Sequence, residues 1–306
     1  MGAMENKGLN IFNARYILAD NETATDDDFL AIESVIGHEY FHNWSGNRVT
    51  LRDWFQLSLK EGLTVFRDQE FTSDLHSRGL KRIEDVRLLK SRQYVEDAGP
   101  LSHPVRPSSY SEINNFYTAT VYEKGAELIR MLHTLLGEAD FSKGLDDYFT
   151  THDGGAATIE DLLAAMTRAS GRQLNQFLRW WEVPGTPVIS VEDSFDPDRG
   201  EYLLLIRQQV AQGAMPLHIP LSFAFYGSDG KRLTQKPYFD GQMREGLVEL
   251  TNQEHMLRLE WLNEQPLPAF LQGLSASALE HRDPATEGFR LFQVMRRQDD
   301  GGALPV

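Results

Sequence analysis

Two histidines four residues apart, His38 and His42, with Glu61 nineteen residues after the second, constrain this chain more than any other feature. On a helix, positions i and i+4 project from one face. Both imidazoles can then reach one ion. Zinc accepts imidazole and carboxylate ligands, and a site with three protein ligands leaves a fourth position open. The third ligand has to arrive from a second helix packed beside the first. Glu39, between the histidines in sequence, is placed to serve as a base.

Local patterns supply those helices. Thr25 followed by Asp26-Asp27-Asp28 reads as a capped start with carboxylates in the first turn. Phe29, Ile32, Ile36 and Tyr40 recur at helical spacing and are expected to face the core. This helix is expected to end near Gly46-Asn47. A second one is expected over 53–75, where Glu61 and Asp68 share a face. Asp68 is a candidate to accept the second ring N–H of a metal-binding histidine. Gly62 costs about 1 kcal/mol relative to Ala in a helix interior. Close packing beside the metal helix would account for it. Upstream, residues 10–13 and 15–18 read as edge strands. Downstream, a long loop centred on Gly99-Pro100 and 104–110 precedes helices over 118–136, 140–150, 158–169 and 173–182.

Composition changes at Val183-Pro184-Gly185-Thr186-Pro187. Short alternating runs follow at 188–191, 202–207, 218–226, 247–250 and 256–261, with Gly227-Ser228-Asp229-Gly230 as a hairpin turn. Their spacing suits a β-sandwich. Helical patterning resumes near 289–295. The expected fold class is therefore α+β. A mainly helical domain spans 1–185, a small all-β sandwich module 186–275, and the start of a helical domain 276–306.

A formal charge of −15 lacks the basic footprint of a nucleic-acid binder. No apolar stretch approaches membrane-spanning length. Neither nucleic acid nor membrane is expected as a partner. The chain has no cysteine, so a metal must use His, Asp or Glu, and a reducing, cytoplasmic setting is expected. The other seven histidines lack partner spacing, and Trp180-Trp181 reads as a packing anchor.

Four tracts agree in type, order and spacing with one family. They are Gly2-Ala3-Met4-Glu5-Asn6, the His38–His42 motif with Glu61, Asn43-Trp44 with Lys60-Glu61-Gly62-Leu63-Thr64, and Val121-Tyr122-Glu123-Lys124-Gly125-Ala126. Through them the chain resembles the aminopeptidase N (alanyl aminopeptidase) family of gluzincin zinc metallopeptidases, bacterial type. The resemblance covers residues 1 to about 185 closely. It implies a thermolysin-like catalytic domain that releases the N-terminal residue of peptides, with broad preference for neutral or basic side chains. It implies one zinc per chain on His38, His42 and Glu61. Glu39 would take the proton of the attacking water, and Tyr122 would donate a hydrogen bond to the oxyanion. Glu5 would pair with the free α-ammonium of a peptide substrate. Gly2, Ala3 and Met4 would lie along the substrate as an added strand. Without the resemblance, Tyr122 reads as a core tyrosine and residues 2–6 as an ordinary strand.

The family normally places a β-domain and the first strands of the catalytic sheet ahead of the Gly-x-Met-Glu-Asn segment, and a large helical domain after the β-module. The first is not expected within these 306 residues, and of the second only the first turns are, so an open sheet edge and uncovered apolar faces are expected. Two other readings stand beside the aminopeptidase. One is an epoxide-hydrolysing relative of the same fold, whose usual segment is Gly-Gly-Met-Glu-Asn. The other is a truncated, inactive fragment acting as an interaction module.

Overall fold

The computed structural model describes residues 2–270 and the strands Ala278–Asp283 and Gly288–Arg290. Near the start, β1 (Ala3–Met4) pairs antiparallel with β2 (Ile11–Phe12). A 3-10 turn, Ala14–Tyr16, capped by the Asn13 side chain, stands where residues 15–18 were expected to be extended. Helix α1 (Asp26–Phe41) begins as its sequence dictates. Thr25 Oγ1 accepts from the Asp28 N–H, and the Asp28 carboxylate accepts from the Thr25 N–H at 2.9 Å. It ends at Phe41, earlier than Gly46-Asn47, with His42 as its C-cap.

The apolar stripe of α1 does not face the core. Phe29 and Ile36 are 43% exposed and Tyr40 is 66% exposed. The inward face carries Gly37, His38 and Phe41 instead. A Cβ on Gly37 would lie 2.8 Å from the Phe71 ring, and Phe41 packs on the core and on Phe149. The buried side of α1 is the chemical side, so hydropathy reads it as polar.

Strand β3 (Thr50–Leu51) and a 3-10 turn, Trp54–Gln56, lead into α2 (Leu57–Leu75), most of which is buried. The region expected as loop then holds α3 (Arg78–Leu88), a π-helical turn (Leu89–Gln93) and α4 (Tyr94–Ala98). Helix α3 is mostly charged. It is fastened by ion pairs, Arg82 to Glu127 through both carboxylate oxygens and Arg78 to Glu70. Next come a π-helical turn (Thr120–Lys124), α5 (Gly125–Leu136) and α6 (Glu138–His152). Strand β4 (Ala156–Ala157) pairs parallel with β3, and α7 (Ile159–Ser170) follows behind a Thr158–Asp161 capping box. Of the helix expected over 173–182, only a 3-10 segment, Phe177–Trp181, forms.

Gly62 packs close, but not against α1. A Cβ there would stand 2.7 Å from the Gly125 carbonyl carbon, so α2 meets the start of α5 backbone to backbone.

Beyond residue 187 every helix or strand among the described residues is a strand. Strands β5 (Val188–Asp196), β6 (Glu201–Gln209), β7 (Ile219–Tyr226), β8 (Tyr238–Phe239), β9 (Gln242–Met243), β10 (Leu247–Leu250), β11 (Glu254–Leu259) and β12 (Leu267–Phe270) form two sheets with β13 (Ala278–Asp283) and β14 (Gly288–Arg290). One sheet runs β10-β7-β12, the other β14-β13-β5-β6-β11-β8-β9. Their inner faces meet through Val191, Tyr202, Leu204, Leu221, Phe225 and Leu257, all buried. This corrects the boundary expected at 275, because β13 continues the sheet parallel to β5 at 278–283. It also corrects the helical start expected over 276–306, where the described stretches are strands. The remainder of that expectation lies outside the described residues. Among the described residues, no helix is long and apolar enough to cross a membrane.

The two units share one core. Trp180 and Trp181 are 1% exposed, and Trp180 Nε1 donates to the His218 carbonyl at 2.8 Å. Gln176 donates to the carbonyls of Pro216 and Thr251.

Candidate metal centre

The last turn of α1 and the first half of α2 lie side by side, and this brings three side chains together. His38 Nε2 and His42 Nε2 are 3.0 Å apart. Glu61 Oε2 stands 3.4 Å from the first and 3.3 Å from the second. His42 is 1% exposed and Glu61 3%.

The outer ring nitrogens are spoken for. His38 Nδ1 meets Asp68 Oδ2 at 2.8 Å, and His42 Nδ1 meets the Ser45 carbonyl at 2.7 Å. Both acceptors call for an N–H on Nδ1, so each Nε2 turns a lone pair inward. Thr64 Oγ1 lies 3.3 Å from His42 Nδ1. Two nitrogen lone pairs and a carboxylate oxygen thus converge in a buried space, and the buried Glu61 Oε2 makes no hydrogen bond. Such a set repels itself unless a positive charge sits among its members. Burial works against charge on His38, yet Asp68 and Glu61 override it and push its pKa up to about 10. Two imidazoles and one carboxylate are donors that suit zinc.

Glu39 lies beside this cluster, 6% exposed, its Oε2 without a hydrogen bond. Burial raises its carboxyl above the ordinary value, with His38 and His42 opposing. Carboxylate oxygens of Glu5 and Glu39 and a ring nitrogen of His42 lie within 4.8 Å of one another. Glu5 is buried at the end of β1. Its carbonyl accepts from Asn47 Nδ2 at 2.8 Å, and its carboxylate is ion-paired with Lys60. Burial opposes charge on Glu5, but His42 and Lys60 hold its carboxyl below the ordinary value. Tyr122, in the π-helical turn, is half-buried, and the Glu61 carboxylate is among the charges around its hydroxyl. Burial and that carboxylate push the phenol pKa upward, so the group is a hydrogen-bond donor at any ordinary pH.

Gly2, Ala3 and Met4 stay outside the cluster. Ala3 and Met4 form β1, Met4 is 37% exposed, and the Gly2 carbonyl accepts from the Asn13 N–H. Sequence reasoning gave Lys60 no role. Lys60 Nζ bridges the cluster, paired with Glu5 and 3.0 Å from Glu61 Oε1. Its adjacency to a ligand was the available signal, but neighbours on a helix point different ways. Asn47 and the Ser45 carbonyl carried no signal, since a turn set their positions.

The cluster thus lies between two helices of a helical domain that a sandwich follows, and comparisons with known proteins give this arrangement a family. Residues 1–181 match the Peptidase family M1 domain, and residues 185–281 match a domain of unknown function (DUF3458) with an Ig-like fold. The chain belongs to peptidase family M1. It is 52% identical over 292 residues to Aminopeptidase N of Haemophilus influenzae, covering 94% of this chain and 33% of that protein. It is 53% identical over 281 residues to Aminopeptidase N of Escherichia coli, covering 90% of this chain and 32% of that protein. The crystal structure of Legionella pneumophila aminopeptidase A in complex with aspartic acid superimposes with a TM-score of 0.79 at 31% identity, over 92% of this chain and 31% of that one. The chain spans about a third of the length of the relatives it matches.

Proposed function

We propose that this chain carries the catalytic centre of a zinc aminopeptidase that releases the N-terminal residue of peptides. The observation that carries the reading is the convergence of His38 Nε2, His42 Nε2 and Glu61 Oε2 beside a buried, unpaired Glu39 carboxylate. A zinc ion held by His38, His42 and Glu61 would polarise the scissile carbonyl and acidify a water molecule.

The protein's own groups divide the remaining work. Glu39, raised by burial, is a stronger base than an exposed carboxylate, and it takes the proton of the attacking water and returns it to the leaving amine. Tyr122 keeps its proton and donates a hydrogen bond to the oxyanion. Glu5 stays ionised and offers a fixed negative charge to the free α-ammonium of the substrate, sharing it with Lys60. The strand ahead of Glu5 supports pairing with the substrate backbone at Gly2, Ala3 and Met4. The cysteine-free composition supports a reducing, cytoplasmic setting.

Paired substitutions test the assignment. Glu39→Ala is expected to slow hydrolysis about 100- to 10,000-fold while zinc stays bound. His42→Ala is expected to lose both. Near-normal turnover in Glu39→Ala would remove the base from the scheme.

A further inference from the structure

A second buried charge pair sits two residues from Tyr122, where the reading above does not use it. Lys124 is 1% exposed and Asp97 7%. Lys124 Nζ donates to Asp97 Oδ2 at 2.9 Å and to the Gly185 carbonyl at 2.8 Å. Thr186 Oγ1 donates to the same Asp97 oxygen at 2.9 Å. The network joins α4, the π-helical turn and the first residues of the β-module.

The turn it grips is an uncommon one. A π-turn takes an extra residue per turn and persists only where its surroundings hold it. Here they hold it at each end. At the start, the Thr120 N–H donates to Glu96 Oε1 at 2.7 Å, and Gln93 Nε2 donates to Thr120 Oγ1 at 3.3 Å. At the end, Gly125 lies backbone to backbone against Gly62, next to Glu61. Tyr122 lies midway between these anchorages. An ion pair this deeply buried contributes little net stability compared with apolar side chains of the same shape, but it fixes a geometry. Apolar side chains would have held α4 against the turn without selecting one register.

We propose that Lys124, clamped by Asp97 and the Gly185 carbonyl, is a positioning residue that sets the register of the π-turn and so aims the Tyr122 hydroxyl at the metal cluster. Through Gly185 and Thr186 the clamp also couples that aim to the docking of the β-module. The kinetic part rests on the aminopeptidase reading; the positional part does not.

The experiment uses the full chain with 3-fluorotyrosine at its ten tyrosines, the Tyr122 resonance being assigned by its loss in Tyr122→Phe. Lys124→Met leaves Asp97 buried without its partner, so Lys124→Met/Asp97→Leu is made beside it to remove both charges. The clamp predicts that the Tyr122 fluorine resonance shifts or broadens in both variants. It also predicts that kcat falls about 100-fold with KM within about twofold, as for a misplaced group. In a Tyr122→Phe background, Lys124→Met should lower kcat no further, because the two act through one hydroxyl. An unmoved fluorine resonance in the folded double variant would overturn the proposal, whether or not the chain turns over substrate. So would a kcat loss that simply multiplies with that of Tyr122→Phe. A wild-type chain without turnover would count against the aminopeptidase reading alone, with the fluorine spectrum still deciding the clamp.

Discussion

His38 illustrates how one residue answers to several demands at once. Its Nε2 belongs to the cluster, and its Nδ1 is fixed by Asp68 at 2.8 Å. That outer bond sets the ring plane, so Asp68 would act on a bound metal without touching it. Asp68→Ala is accordingly expected to weaken zinc binding about 10- to 100-fold, measured by competition with a chromogenic chelator, while the fold survives. Unchanged affinity would mean that α1 packing alone orients the ring. At this scale the sequence was largely readable. The i, i+4 histidines, Glu61 and Asp68 follow from helical periodicity once two helices are granted. Lys60 and Asn47 did not follow. Their partners lie 55 and 42 residues away in Glu5, and no local pattern encodes such a meeting.

At the scale of elements, the capped start of α1 was legible because capping is a local bargain between four residues. Helix α3 was not, because ion pairs to Glu70 and Glu127 hold it rather than an apolar stripe of its own. Nor was the π-turn, which owes its shape to α2, α4 and the Gly185 carbonyl. The α1 stripe misled for the opposite reason. A strong pattern marks an exposed face there, since the inward face is given over to chemistry.

Two further outcomes belong to elements. Gly62→Ala would gain about 1 kcal/mol of helix propensity. Its methyl would meet Gly125 backbone at 2.7 Å. Neither side can yield without parting α2 from α5, so the net effect is expected to be a loss of about 1–3 kcal/mol, read from chemical denaturation. A more stable protein would contradict the backbone contact. The second concerns Glu123. Burial pushes its carboxyl up to about 7, with Asp68 and Asp85 adding to the effect and Lys81 opposing it. The unfolded chain releases this proton near the ordinary value of about 4.3, so its ionisation drains stability as pH rises between about 4.3 and 7. Glu123→Gln is therefore expected to be more stable than wild type by roughly 1–3 kcal/mol at pH 8 and equal to it at pH 4. A constant difference across that range would show that Glu123 does not titrate in the window.

Among the described residues, the main core runs from α2 and α5 through Trp180 and Trp181 into the sandwich. That continuity explains why the composition break at 183–187 marks a change of secondary structure without marking a gap in packing. Buried apolar residues on both sides of the break belong to a single cluster, and the clamp at Lys124 crosses it. Further on, β13 at 278–283 takes its place beside β5, a partner ninety residues away that no local pattern shows. On the proposed reading, this chain holds its own three-ligand metal site and works from the free amino terminus of a peptide. The most direct measurement is zinc content and release of the first residue from an alanyl peptide, on one purified sample, with the N-acetylated peptide alongside. The expected result is one zinc per chain, turnover of the free peptide that a chelator abolishes, and none of the acetylated one. Purified chain without stoichiometric zinc, or equal cleavage of both peptides, would contradict it.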